Sequence, residues 1–387
     1  MFGGGYETRC VDPLMPIRPA AIRGHLRFWW RATAGAQYTT PGALFDAEEA
    51  IWGSMEKPGK VRIGVEDVKY DDPVIWARFE RNPRYPSKYK ALATQLIPQW
   101  PRYALHPFQG RLKKPGFDIE IEPDRALESC AMVVKLHYAP AHGLAIELEN
   151  TINAWICLGG VGARTRRGCG SLMAETGGLP DGGQRISASQ GTPVTLLSGT
   201  RYVLGAPMDS AVSAWKTAVE TYAAFRQMRY PGHPPMPGRS KWPEPDSIRR
   251  IENRPSYAHP PGHSVQCGFP RADLGLPIVF HFKDQGDPDE HTLQAASQGA
   301  TRLASPVITK AIAMPNGKYR PLVAVLQAPH AWELGDLDLN GTPVIRAWIE
   351  LSPTDRAACD PLNGQDVRSA VLEYARQRWN SKVQVLP

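Results

Sequence analysis

Residues 159–170 hold five glycines and three arginines, and no acidic residue occurs anywhere from 151 to 174. Glycine lets a backbone turn through positive φ and lets another backbone come close. Arginine presents a flat, permanently charged donor fork that matches phosphate. Gly160, Gly162, Arg164, Arg166, Arg167 and Gly168 therefore predict a loop that holds a polyanion. A second set has the same character: Arg18, Arg23, Arg27 and Arg31 lie in a stretch from 13 to 45 that contains no acid. Arg23, Arg27 and Arg31 recur every four residues, one face of a helix. Solvated helix faces normally mix charges of both signs, so a face without counter-charge points to an anionic partner.

The glycine loop fits neither nucleotide-cofactor motif. No Gly-Lys-Ser/Thr closes it, and a dinucleotide fingerprint begun at Gly160 would need glycine where Thr165 stands. Those motifs also precede a helix, whereas this loop follows a predicted helix and leads to a predicted strand at Ser171-Leu172-Met173. No cofactor is expected. His25, beside the arginine stripe, is a candidate general acid or base that could activate an RNA 2′-hydroxyl while arginines stabilise the developing charge. A lone helical histidine is more often structural. Asp12 is the alternative acid/base or metal ligand, although a loop aspartate more commonly forms a turn. His259, His263 and Cys267 have metal-ligating side chains but sit in a Pro/Gly loop without a fourth partner, so no metal is expected. The basic loop at 238–250 supplies the weaker binding candidates Lys241, Trp242 and Arg249, and Asp246 or Ser247 is the expected cap of the helix it enters.

Positioning such residues takes two domains, which a chain of 387 residues is long enough to form. A net charge of +7 points to acidic partners, and the acids are segregated, as at Asp284, Asp287, Asp289 and Glu290. Six scattered cysteines without a CxxC pair suit reduced thiols in a cytoplasmic protein. No apolar run reaches membrane-spanning length, and no signal-peptide core is present at the start.

Pro19 opens a predicted helix whose apolar stripe is Ile22, Leu26, Trp29 and Trp30, the two tryptophans being core rather than base-stacking residues. Gly24 costs that helix about 1 kcal/mol against alanine, which close approach of an anion to the helix start would justify. Residues 44–52 predict a helix, 60–65 a strand, 117–121 and 131–137 strands, and 145–157 a helix. Between them, 78–116 interleaves basic and aromatic residues, a composition suited to single-stranded nucleic acid or to ordinary surface packing. Helices are predicted again at 212–228 and 366–379, a strand at 277–282, and a hairpin from 307–313 and 322–326 around Asn316-Gly317. The resulting fold class is α+β: two tandem ferredoxin-like (RRM-like) domains, 1–195 and 196–387, with the first strand of domain one missing ahead of the Phe2-Gly3-Gly4-Gly5 turn.

Phe2-Gly3-Gly4-Gly5, followed by the run Ile17-Arg18-Pro19-Ala20-Ala21-Ile22-Arg23-Gly24-His25-Leu26-Arg27-Phe28-Trp29-Trp30-Arg31, resembles the signature of the first-Cmr-subunit family. These are the RAMP-superfamily head subunits of type III-B CRISPR effector complexes. Leu44-Phe45, Glu48-Glu49, Ile51-Trp52-Gly53-Ser54, the 159–172 loop, the 242–246 WPEPD stretch, Gly275-Leu276-Pro277 and Arg302 to Pro306 continue the likeness in order. The resemblance implies a non-catalytic subunit without a cofactor. It implies contact with the 3′ part of the guide RNA (crRNA), help in capturing single-stranded target RNA, and other Cmr subunits as partners. RNA cutting in that family belongs to a different, backbone subunit, but guide-processing relatives use a histidine, which keeps His25 a candidate. Endoribonuclease activity and a protein-only scaffold are the alternatives.

Overall fold

The computed structural model describes residues 1–3, 11–12, 14–113, 118–141, 143–174, 199–233, 238–253, 260–282, 286–296, 302–314 and 316–386. Helix α1 (Pro19–Ala32) begins on a proline, as φ pre-organisation favours, and buries Ile22, Leu26, Trp29 and Trp30. Each such side chain contributes about 1.5–3 kcal/mol of transfer free energy. Helix α2 (Pro41–Trp52) is capped by the Thr40 hydroxyl, which accepts from the Ala43 N–H, and stops at Gly53, φ 77°. Strand β1 (Val61–Tyr70) pairs antiparallel with β2 (Cys130–Tyr138), Ile63 opposite Leu136 and Val65 opposite Val134. Those four apolar residues are half-buried against the core that α1 shares with helix α3 (Leu144–Leu158).

The first half thus carries the helix–strand–strand–helix series of a ferredoxin-like unit. The predicted strand at 171–173 does not form; those residues are irregular. Among the described residues this sheet holds only β1 and β2. The insertion between them is partly a core of its own. Phe2 is stacked on Phe108, centroids 4.2 Å apart, with Trp76 and Trp100 set edge-on around it. Short strand pairs project from it, Arg81–Asn82 with Tyr85–Tyr89 and Arg111–Lys113 with Asp118–Ile121.

The second half completes the unit. Strand β3 (Arg201–Leu204) is followed by α4 (Ala211–Arg226). After α5 (Glu244–Ile251), β4 (Ile278–Phe280) and β5 (His291–Ala295) come β6 (Val307–Ala313) and β7 (Tyr319–Val325). Then β8 (Leu337–Leu339), β9 (Thr342–Val344), α6 (Arg346–Glu350) and α7 (Pro353–Ala358) lead to α8 (Val367–Trp379) and β10 (Val383–Val385). One sheet has the order β6-β7-β3-β10 with antiparallel neighbours, which is the ferredoxin-like arrangement. The predicted strand at 277–282 is the shorter β4 and lies in a separate sheet, β4-β5-β8-β9. The proposed division at 195/196 falls outside the described residues.

Strand alternation gives the ferredoxin-like sheet two apolar faces. Val203, Val307, Val323 and Val325 pack in one core with Tyr222 and Phe225 of α4 and Val371 and Ala375 of α8. Tyr202, Leu204, Ile308, Ile312, Leu322 and Ala324 share the other core with α1 and α3. In RRM proteins the open sheet face stacks bases; here the first half covers it. Lys310, fully buried in this face, donates to the carbonyls of Ile156 at 2.9 Å and Gly159 at 3.1 Å. Its ammonium thereby caps the negative end of α3, although burial lowers its pKa to about 8.

Candidate nucleic-acid interface

The glycine–arginine loop begins where α3 ends and is closed by the Val161 N–H donating to the Gly170 carbonyl at 2.9 Å. Positive φ at Gly162 (84°), Arg164 (61°), Gly168 (77°) and Gly170 (63°) folds it into a tight knot around a 3-10 turn, Thr165–Arg167. The glycines do admit close approach, but of this chain itself. A Cβ on Gly162 would stand 2.4 Å from the Phe2 carbonyl oxygen, on Gly168 2.5 Å from Trp215, and on Gly160 2.8 Å from the Gly170 oxygen. The space that Gly160, Gly162 and Gly168 leave is taken up by neighbouring atoms of this chain.

The three loop arginines are likewise engaged within the chain. Arg164 donates to the carbonyls of Ala104 at 3.2 Å and Tyr103 at 3.3 Å. Burial, reinforced by Arg167, lowers its pKa. Arg166 donates to the Ser305 carbonyl, and burial and Arg167 lower its pKa to about 10. Arg167 is 7% exposed, donates to Val307 O at 2.6 Å and Ser305 Oγ at 3.0 Å, and lies over the Tyr222 ring. Backbone carbonyls, each with two lone pairs, supply the negative potential that the sequence lacks in acids. The loop is a staple joining the insertion, α3 and the start of β6, with Arg167 buried inside it.

Helix α1 is more open. Arg27 donates to Glu48 at 2.5 Å, and Arg31 contacts both oxygens of Glu48 at 3.1 and 3.0 Å. Glu48, on α2, is 3% exposed. The face that reads as lacking counter-charge has one, provided by the next helix. Arg23 is exposed and makes no ion pair among the described residues, and Arg18 is half-exposed at the N-cap. Gly24 has open space around its Cβ position. Phe28, 37% exposed, lies beneath the Arg166 guanidinium, 5.6 Å from ring centroid to cation. This contact brings the loop and α1 together on one surface.

His25 is half-buried, with its ring near-parallel to Trp155 at 6.3 Å, and burial lowers its pKa, so it is neutral at pH 7. Asp12 accepts from the N–H groups of Leu14 at 2.9 Å and Met15 at 3.0 Å; these bonds hold its pKa below the usual value and give it a turn-forming position. His259 lies outside the described residues. His263 accepts from the Val265 N–H, and Cys267 is pushed up to about 11 by burial. Among the described residues no three His, Cys, Asp or Glu side chains are grouped to hold a metal, and no helix is long and apolar enough to cross a membrane.

The weaker candidates belong to the packing of the second half. Trp242 is 1% exposed and donates to the Phe225 carbonyl. Arg249 is buried between Asp246 and Asp287, with bonds of 2.8–3.0 Å, and Lys241 pairs with Asp360 at 3.2 Å. Of the acids that the sequence shows as segregated, Asp287 is folded back onto this basic stretch. Helix α5 starts at Glu244 rather than at an Asp246 or Ser247 cap. Asp246 instead accepts from Gly262 N–H, His263 N–H, Arg239 and Arg249. Sequence reasoning assigned no role to Glu48, Ser305 or Lys310; of these Glu48 and Ser305 carried a signal, as parts of the Glu48-Glu49 and Arg302 to Pro306 stretches.

Residues 1–172, which include α1 and the loop, match the family model of the RAMP superfamily. The whole chain is similar to the crystal structure of Cmr1 from Pyrococcus furiosus (apo form). That likeness has 15% identity and a TM-score of 0.43, covering 99% of this chain and 95% of that one. A cryo-EM structure of the type III-B Cmr-beta bound to cognate target RNA is similar at 11% identity and TM-score 0.41, covering 96% and 97%. Both likenesses are distant. No curated protein matches the chain. Within the matched residues, the start of α1 presents the exposed Arg23 beside the half-exposed Arg18.

Proposed function

We propose that this protein is a non-catalytic RNA-binding subunit of a type III-B Cmr ribonucleoprotein, with residues 1–195 and 196–387 as its two domains. In this reading it contacts the 3′ part of the guide RNA, helps to capture single-stranded target RNA, and works in the cytoplasm with other Cmr subunits. The observation that carries the reading is the exposed start of α1. Arg18 and Arg23 flank a helix N-terminus that lacks a side-chain cap, beside a glycine with open space around it. The helix dipole and two guanidiniums together suit a phosphate. Arg166 over Phe28 and the Arg81–Tyr89 pair, 4.0 Å apart, extend the same chemistry. The RAMP match and the ordered Cmr-type motifs favour RNA over other polyanions.

Binding of a single-stranded RNA should weaken linearly in log–log salt plots. The double variant R18A/R23A should lower the slope by about 1.4 while leaving thermal stability within about 0.5 kcal/mol. An unchanged slope removes these residues from the interface. Incubation of the purified chain with RNA tests the nuclease alternative, and cleavage lost in H25A or D12A would establish it.

A further inference from the structure

A cleft of about 490 Å³ lies in the second half, away from α1, where the start of β3, the 326–332 segment, α6, α7 and the start of α8 converge. This volume is within the range of small-molecule sites. Three guanidiniums line it: Arg201, Arg356 and Arg368. Arg368 is buried and ion-paired with Asp273 at 2.8 Å, and it donates to the carbonyls of Ala328 and Pro329. Arg201 donates through one nitrogen to Ser369 Oγ at 2.8 Å. Arg356 differs from both. Its Nε is sequestered from solvent with no hydrogen-bond partner, and its side chain makes no ion pair among the described residues. A buried guanidinium donor without an acceptor is costly, and such a group calls for a ligand.

The two carboxylates in the lining are already occupied. Asp366 caps α8, accepting from the Arg368 and Ser369 N–H groups and from the Ser369 hydroxyl. Glu350 accepts from Arg346 at 2.7 Å. What the lining still offers is cationic donors together with a flat aromatic pair. The His330 and Trp332 rings are stacked, 4.1 Å apart and 12° from parallel. Donor forks that match phosphate beside a planar π surface suit one ligand chemistry in particular.

We propose that this cleft binds a nucleoside monophosphate unit, its phosphate on Arg356 and Arg201 and its base against the His330–Trp332 wall. The unit could be supplied by a free nucleotide or by the phosphorylated end of an RNA, and the test separates the two. Equilibrium binding is measured for AMP, for inorganic phosphate, and for a short RNA carrying a 5′-phosphate, a 3′-phosphate or hydroxyl ends only. AMP or an end-phosphorylated RNA should bind better than the hydroxyl-ended RNA, and R356Q should weaken that preference about tenfold. E350Q, which removes a negative charge from the cleft, should strengthen it severalfold. Binding of AMP alone assigns a free nucleotide, and binding of the phosphorylated RNA alone assigns an RNA end. Absence of any phosphate preference, a preference untouched by R356Q, or equal affinity for AMP and inorganic phosphate overturns the proposal. R18A/R23A should leave AMP binding unchanged, so failure here and failure of the α1 interface are told apart.

Discussion

The loop at 159–170 and helix α1 are built from the same chemistry, arginines in stretches without acids, and the fold uses them differently. In the loop, positive φ at Gly162, Arg164 and Gly168 turns the side chains inward, where the carbonyls of Ala104, Ser305 and Val307 accept from them. On α1 the helix keeps its side chains on the outside of a rigid cylinder, and Arg27 and Arg31 meet a counter-charge, the buried Glu48. A glycine-rich basic loop can therefore be a structural joint satisfied by backbone, while a basic helix beside it keeps the surface cations. A deficit of acids in the sequence does not by itself reveal an external anion, because every carbonyl in the chain is an acceptor.

The largest effect that would sharpen this contrast is expected at Arg167. R167M leaves the Val307 carbonyl and Ser305 hydroxyl without their charged donor in a buried site. A loss of about 3 kcal/mol in urea-monitored stability should follow. A loss below about 0.5 kcal/mol would mean that the loop is no staple. G168A comes next, forcing a Cβ into positive φ and into contact with Trp215; about 2 kcal/mol should be lost. E48Q should act more gently on stability, costing about 1–2 kcal/mol, since Arg27 and Arg31 can rehydrate. In the same variant RNA should bind more tightly, because two cations are released to the surface. An E48Q protein with unchanged or weaker RNA affinity would break the comparison from the α1 side.

Much of the architecture was legible. The apolar stripe of α1, the strands β1 and β2, helix α3, the β6–β7 hairpin and helix α8 all follow from local periodicity and turn chemistry. The strand expected at 171–173 and the cap expected at Asp246 did not form, because each rested on two or three residues whose placement is set by remote partners. Asp246 illustrates this: Gly262, His263, Arg239 and Arg249 claim its carboxylate from three different segments.

For the candidate site the division is sharper. Sequence alone determined which residues carry charge, where glycine permits tight turns, and that Trp29 and Trp30 lie inside. Only the tertiary structure decided which arginines face outward. Whether a guanidinium meets Glu48, the Ser305 carbonyl or solvent depends on contacts 17 to 139 residues away along the chain. Those contacts are fixed by packing two halves against a shared core, and no local pattern records that arrangement.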